Sequence, residues 1–192
     1  MDYREFAKNK KIPDKYCGPI LTALSHYPEL KNAHIEFVLC QSLREAYNTR
    51  PAFSSIFKQP LNRQYRINIL ENAEPPLRDA LFKNCTFECQ IGIIAHELAH
   101  VLQFHNCSRW ELVRLLVSFI GKKSKRLIER NADMISIQHG FGKYLYAHAN
   151  HIRSIPGYIK QYPQLDENYL KPHEILVRML HREGKFDGEI AI

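Results

Sequence analysis

The segment Gln90-Ile-Gly-Ile-Ile-Ala-His96-Glu97-Leu-Ala-His100-Val-Leu constrains this chain more than any other, because it sets two histidines and a glutamate inside an otherwise apolar helix. Residues i and i+4 of an α-helix share a face. His96 and His100 can therefore offer their imidazoles to one ion, with Glu97 beside them, and the segment reads as a metal site. Gly92 precedes His96 by one turn on the same face, where the missing side chain lets another segment approach closely.

A chain of 192 residues is long enough to bury a real hydrophobic core around such a helix, and no second domain is needed. The reading places a core at residues 33–140, an amino-terminal helical extension at 1–32 and a loop-rich tail at 141–192. The amino terminus is charged where a secretory signal needs an apolar stretch. The longest apolar run, Leu112 to Ile120, is interrupted by Arg114 and falls far short of the roughly 20 residues that span a bilayer. It is expected as a buried helix, with no membrane span.

Five cysteines without a dense framework fit reduced thiols in the cytoplasm. Cys85 and Cys89 are four apart, but no matching pair completes a second metal site. The net charge of +7 raises nucleic acid as a partner, yet the cations are scattered, which argues against it. Their densest cluster, Lys122-Lys123-Ser-Lys125-Arg126, reads as a solvated interhelix loop.

A helix is expected from Gly18 to His26, and Ala33 to Leu39 alternates as a strand, with a helical continuation as the alternative. The segment Ala52 to Phe57, the turn at Gln59 to Asn62 and the alternating Tyr65 to Ile69 together look like an antiparallel hairpin. A short helical turn over Leu77 to Phe82 precedes the metal helix, which Thr86 caps and which runs from Phe87 to His105. Further helices are expected at Trp110 to Phe119, from about Ser124 to His139, and from Pro172 to Leu180.

H-E-x-x-H is a pattern in which two histidines hold zinc and the glutamate serves as general base. Zinc in a catalytic site takes three protein ligands and leaves a position for water, so a third ligand must come from another helix. Glu129-Arg-Asn-Ala132-Asp133 offers one: Glu129 can bind metal while Asp133, one turn on, accepts a hydrogen bond from a ligand histidine. Taken alone these acids would be a solvated helix face. His105 competes, but it falls one residue short of the longer pattern H-E-x-x-H-x-x-G-x-x-H, whose glycine is here Gln103.

With Glu129 as third ligand the chain resembles the gluzincins. Gly92-Ile-Ile-Ala-His-Glu-Leu-Ala-His together with E-x-x-A-D looks like the M48 group of metallopeptidases and the related minigluzincins. The resemblance covers roughly Ala33 to Gly140, without the transmembrane helices of the membrane-embedded members. It implies an α+β, zincin-like fold, mostly helical, with a small antiparallel or mixed sheet beside the metal helix and Tyr65 to Ile69 as the substrate-side edge strand. It also implies zinc-dependent hydrolysis of a peptide or protein substrate, with Glu97 moving the proton from water to the leaving amine.

One further donor usually stabilises the oxyanion of such a reaction. Tyr158, Tyr169, His173 and Arg178 are candidates if the tail folds back, and the resemblance prefers the segment from Tyr169 through His173 to Arg178. The leading expectation is a soluble zinc-dependent endopeptidase. The alternative is a latent or non-catalytic zinc-binding protein whose tail occupies the cleft.

Overall fold

The computed structural model describes residues 3–43 and 45–185. A mixed four-stranded sheet runs in the order β1 (Lys10–Lys11), β2 (His34–Cys40), β4 (Gln64–Leu70), β3 (Tyr47–Pro51). β2 and β4 are parallel, with Ile35, Phe37 and Leu39 opposite Tyr65, Ile67 and Ile69, while β3 runs antiparallel to β4 with Thr49 opposite Ile67. Strand side chains alternate between faces, so these residues share one face. That apolar face packs into a single core with helix α2 (Phe87–Asn106).

Two strand expectations are corrected. The partner of Tyr65 to Ile69 is Tyr47–Pro51 and not the segment after Pro51, where Phe53–Ser55 forms a 3-10 turn and Phe53 and Phe57 are exposed. Tyr47-Asn-Thr-Arg-Pro carries too little apolar alternation to read as a strand, whereas Phe53 and Ile56 suggest one. β4 is also paired on both sides, so the edge strand beside it is β3, with β1 at the opposite edge.

Thr86 caps α2 by accepting the Cys89 N–H at 3.2 Å, and every residue from Ile91 to Leu102 is buried. The wrapping comes from the sheet, α1 (Cys17–Leu24), α4 (Lys122–Gln138) and α5 (Gly142–Ser154). α5 uses the gap at Gly92, where an added Cβ would lie 2.2 Å from the Tyr144 carbonyl oxygen. α4 ends as its glycine requires: Gly140 has φ +90°, and the Gly140 and Phe141 N–H groups donate to the Ile137 and Ser136 carbonyls, each at 3.0 Å.

The tail is helical rather than loop-rich. After α5 come α6 (Tyr158–Gln161), α7 (Gln164–Asn168) and α8 (Pro172–Arg182). Pro156, Gly157 and Pro163 sit in the short links, and Pro172 at the first turn of α8, where proline is accommodated. α3 (Arg109–Ser118) also departs from expectation: Leu112 is its one buried residue, and Trp110 and Val117 face outward. No helix among the described residues is long and apolar enough to cross a membrane.

Candidate metal centre

α2 contributes His96 and His100, and α4 lies against it with Glu129 and Asp133 one turn apart and buried. The three candidate ligand atoms converge. His96 Nε2 and His100 Nε2 are 3.1 Å apart, and Glu129 Oε2 lies 3.2 and 3.0 Å from them. Tetrahedral zinc with bonds of about 2.0–2.1 Å has ligand atoms roughly 3.3 Å apart. The donor set therefore fits a metal ion, and His96, His100 and Glu129 form a group that can hold one.

The other ring nitrogens orient the histidines. His96 Nδ1 is 2.8 Å from Asp133 Oδ1, and His100 Nδ1 is 2.9 Å from Gln103 Oε1, whose amide donates to the Ile128 carbonyl at 3.1 Å. With both Nδ1–H groups donating outward, both Nε2 atoms are turned toward Glu129. Burial opposes a charge on His96, but Asp133 and Glu129 outweigh it and hold its pKa well above the ordinary value. Burial likewise opposes the Glu129 carboxylate, which the two histidines keep strongly acidic. Such a pocket favours a cation.

Glu97 is buried beside the group, and burial raises its pKa above the usual carboxylate range. Thr49 of β3 donates its hydroxyl to Glu97 Oε2 at 2.6 Å. A cavity of about 290 Å³ reaches His96 and Glu97 and is walled largely by apolar groups, among them Ile93, Leu145, Ile152, Leu165 and Leu170.

Of the tail candidates, Tyr158 and Tyr169 line this cavity, and the Tyr169 ring lies 5.4 Å from that of His96. Burial, then the surrounding acids beginning with Glu129, keep the Tyr169 phenol protonated. His173 is exposed on α8, and neither it nor Arg178 lines the cavity. His105 is not among the ligands: its Nδ1 is 3.2 Å from the Tyr65 hydroxyl. Cys85 and Cys89 join no three-ligand group among the described residues.

Three residues of the site escaped the sequence reading: Thr49, Gln103 and His148. His148 of α5 lines the cavity with a buried Nε2 that has no hydrogen-bond partner, and burial, then the charge of His96, lower its pKa to about 3. It carries no motif, but its place on an amphipathic helix beside Leu145 and Ala149 was a usable signal. Compared with known proteins, the chain matches no family model, and neither the curated proteins nor the solved structures yielded a match.

Proposed function

We propose that this chain is a zinc-dependent endopeptidase of the gluzincin kind, hydrolysing peptide bonds with Glu97 as general base. The observation that carries the reading is the convergence of His96, His100 and Glu129 within 3.0–3.2 Å, next to a buried glutamate that lines a cavity. A small sheet beside the metal helix, with the Glu129 helix packed against it, is in keeping with a zincin-like fold. The five cysteines are unpaired, in keeping with the cytoplasm.

The chemistry that zinc supplies in this donor set is Lewis acidity toward water and a carbonyl oxygen. Glu97 takes the proton of the attacking water and returns it to the leaving amine. Thr49 fixes one oxygen of that carboxylate and leaves the other for the proton. The raised pKa brings Glu97 closer to the value at which a base accepts and releases a proton near neutrality. Tyr169 and His148, both in the cavity wall, are among the groups that can donate to the developing oxyanion.

Thr49 also brings the edge strand β3 to the site, so an extended substrate can add to that edge through backbone hydrogen bonds. Tail residues, Tyr158 and Tyr169 among them, wall the cavity that reaches His96 and Glu97, so in this reading the tail completes the cleft. The test is bound metal by elemental analysis, together with hydrolysis of an unstructured protein. Wild type is expected to bind one zinc per chain and to cleave, and Glu97→Ala to bind zinc without cleaving. Undiminished cleavage by Glu97→Ala overturns the proposal.

A further inference from the structure

α3 and the start of α4 carry an outer surface that the core does not require. Trp110, Val117, Ile120 and Leu127 are 78%, 59%, 84% and 70% exposed. On α3 the exposed Trp110, Arg114 and Val117 fall at i, i+4 and i+7, one stripe of a helix turned away from the buried Leu112. Ile120 follows in the link, and Lys122, Lys123, Arg126 and Leu127 at the start of α4 are exposed as well. Between Arg109 and Leu127 the chain has six cations and one acid. That acid, Glu111, is held at the α3 cap by the Ser108 N–H at 2.8 Å, and among the cations Lys125 pairs with Glu45 at 3.2 Å.

We propose that this face docks on an anionic lipid surface. The excess of cations selects an acidic partner, and the apolar tips select one with a hydrocarbon interior. A tryptophan and aliphatic side chains set among lysines and arginines match the headgroup boundary, where the apolar tips insert and the cations meet lipid phosphates. A second copy would bring like charges together. Nucleic acid would neutralise the cations but leave Val117, Ile120 and Leu127 without a use, because strand binding relies on aromatic stacking.

The surrounding structure places this face near the metal centre. Phe119, at the carboxyl end of α3, packs on His100 with ring centroids 6.0 Å apart. Arg63 donates to the Phe104 and Cys107 carbonyls at 2.8 and 2.7 Å, fastening the β3–β4 connection to the end of α2 from which α3 departs. That connection carries the exposed Phe53, Phe57 and Leu61, a second apolar group fastened to the same end of α2.

Trp110 is the single tryptophan of the chain, so its fluorescence reports the face directly. Full-length protein is titrated with vesicles of phosphatidylcholine alone and of phosphatidylcholine mixed with phosphatidylglycerol, with co-sedimentation as a second readout. The expected result is a blue shift and co-sedimentation with the anionic vesicles only, weakening as salt is raised. Each cation near such a surface contributes about fivefold, so Lys122→Ala/Lys123→Ala/Arg126→Ala should weaken binding by roughly a hundredfold. Ile120→Ser should weaken it while leaving the salt dependence in place. Absence of binding to the anionic vesicles overturns the proposal, as does a lipid-independent blue shift that follows protein concentration, which marks self-association. Binding to single-stranded RNA that competes with the vesicles and is lost in the same triple variant also overturns it.

Discussion

Thr49 donates its hydroxyl proton to Glu97 Oε2 at 2.6 Å, joining the edge strand of the sheet to the helix that carries both histidines. The bond stabilises the ionised carboxylate, opposing the burial that raises the Glu97 pKa. Thr49→Val keeps the shape and removes the donor. A hydrogen bond to a charged group contributes about 1.5–3 kcal/mol, so kcat/KM at neutral pH should fall roughly ten- to a hundredfold. Glu97 must be ionised to act as a base, and its pKa rises further without the bond. The acid limb of the pH–rate profile should therefore move to higher pH in Thr49→Val and stay in place in Thr49→Ser. An unmoved limb in Thr49→Val would separate Thr49 from the proton transfer.

Asp133 holds two partners at once. Its Oδ1 is 2.8 Å from His96 Nδ1, and its Oδ2 accepts the Leu170 N–H at 2.8 Å. Asparagine at this position has one acceptor oxygen, so either His96 or the Leu170 amide must lose its partner. Asp133→Asn should weaken zinc binding by about ten- to a hundredfold, measured by competition with a chromogenic chelator. It should also increase hydrogen exchange at Leu170. Zinc affinity equal to wild type would show that the His96 orientation does not depend on this carboxylate.

The metal motif was readable because its information is local. His96 and His100 sit one turn apart, Glu129 and Asp133 sit one turn apart, and each pair needs only helical geometry to share a face. What holds the motif in place was hidden, because it depends on segments distant in the chain. Thr49 is 48 residues from Glu97, in a strand whose polar residues conceal its alternation. Gln103 occupies the position where another zinc pattern has glycine, and nothing local marks it as the partner of His100. The tail reads as loop-rich because Pro156, Gly157 and Pro163 are breakers of regular structure, but each lies in a link between helices. The signal for α5 was present: Leu145, Ala149 and Ile152 recur at helical spacing and are buried. Gly92 announced a close neighbour without saying which, and that neighbour is the α5 backbone.

Gly92→Ala tests that contact. The new Cβ would meet the Tyr144 carbonyl oxygen at 2.2 Å and its carbon at 2.6 Å, and backbone atoms cannot turn aside as a side chain does. α5 must shift outward, taking His148 with it. Overpacking of this kind costs about 1–3 kcal/mol, sometimes more. The urea midpoint should fall accordingly, with the m-value unchanged. A variant as stable as wild type would mean that the two helices do not approach this closely in solution.

Arg130 grips Glu174 with both terminal nitrogens, at 2.8 and 3.2 Å, tying α8 to the helix that bears Glu129. Burial alone would raise the Glu174 pKa, but the Arg130 guanidinium and the Lys171 N–H, 2.8 Å away, hold it below the ordinary value. A carboxylate whose folded pKa is depressed contributes its full stabilisation above its unfolded pKa of about 4.3, and loses it as pH falls through the lower folded value. Both side chains are about one-fifth exposed, which trims the gain expected of a charged hydrogen-bonded pair. Glu174→Gln should therefore cost about 1–2 kcal/mol at pH 7. The gap between wild type and variant, read from denaturant melts at a series of pH values, should close below about pH 4 as the wild-type carboxylate takes up its proton. A gap that persists unchanged into acid would assign the role of Glu174 to packing rather than to its charge.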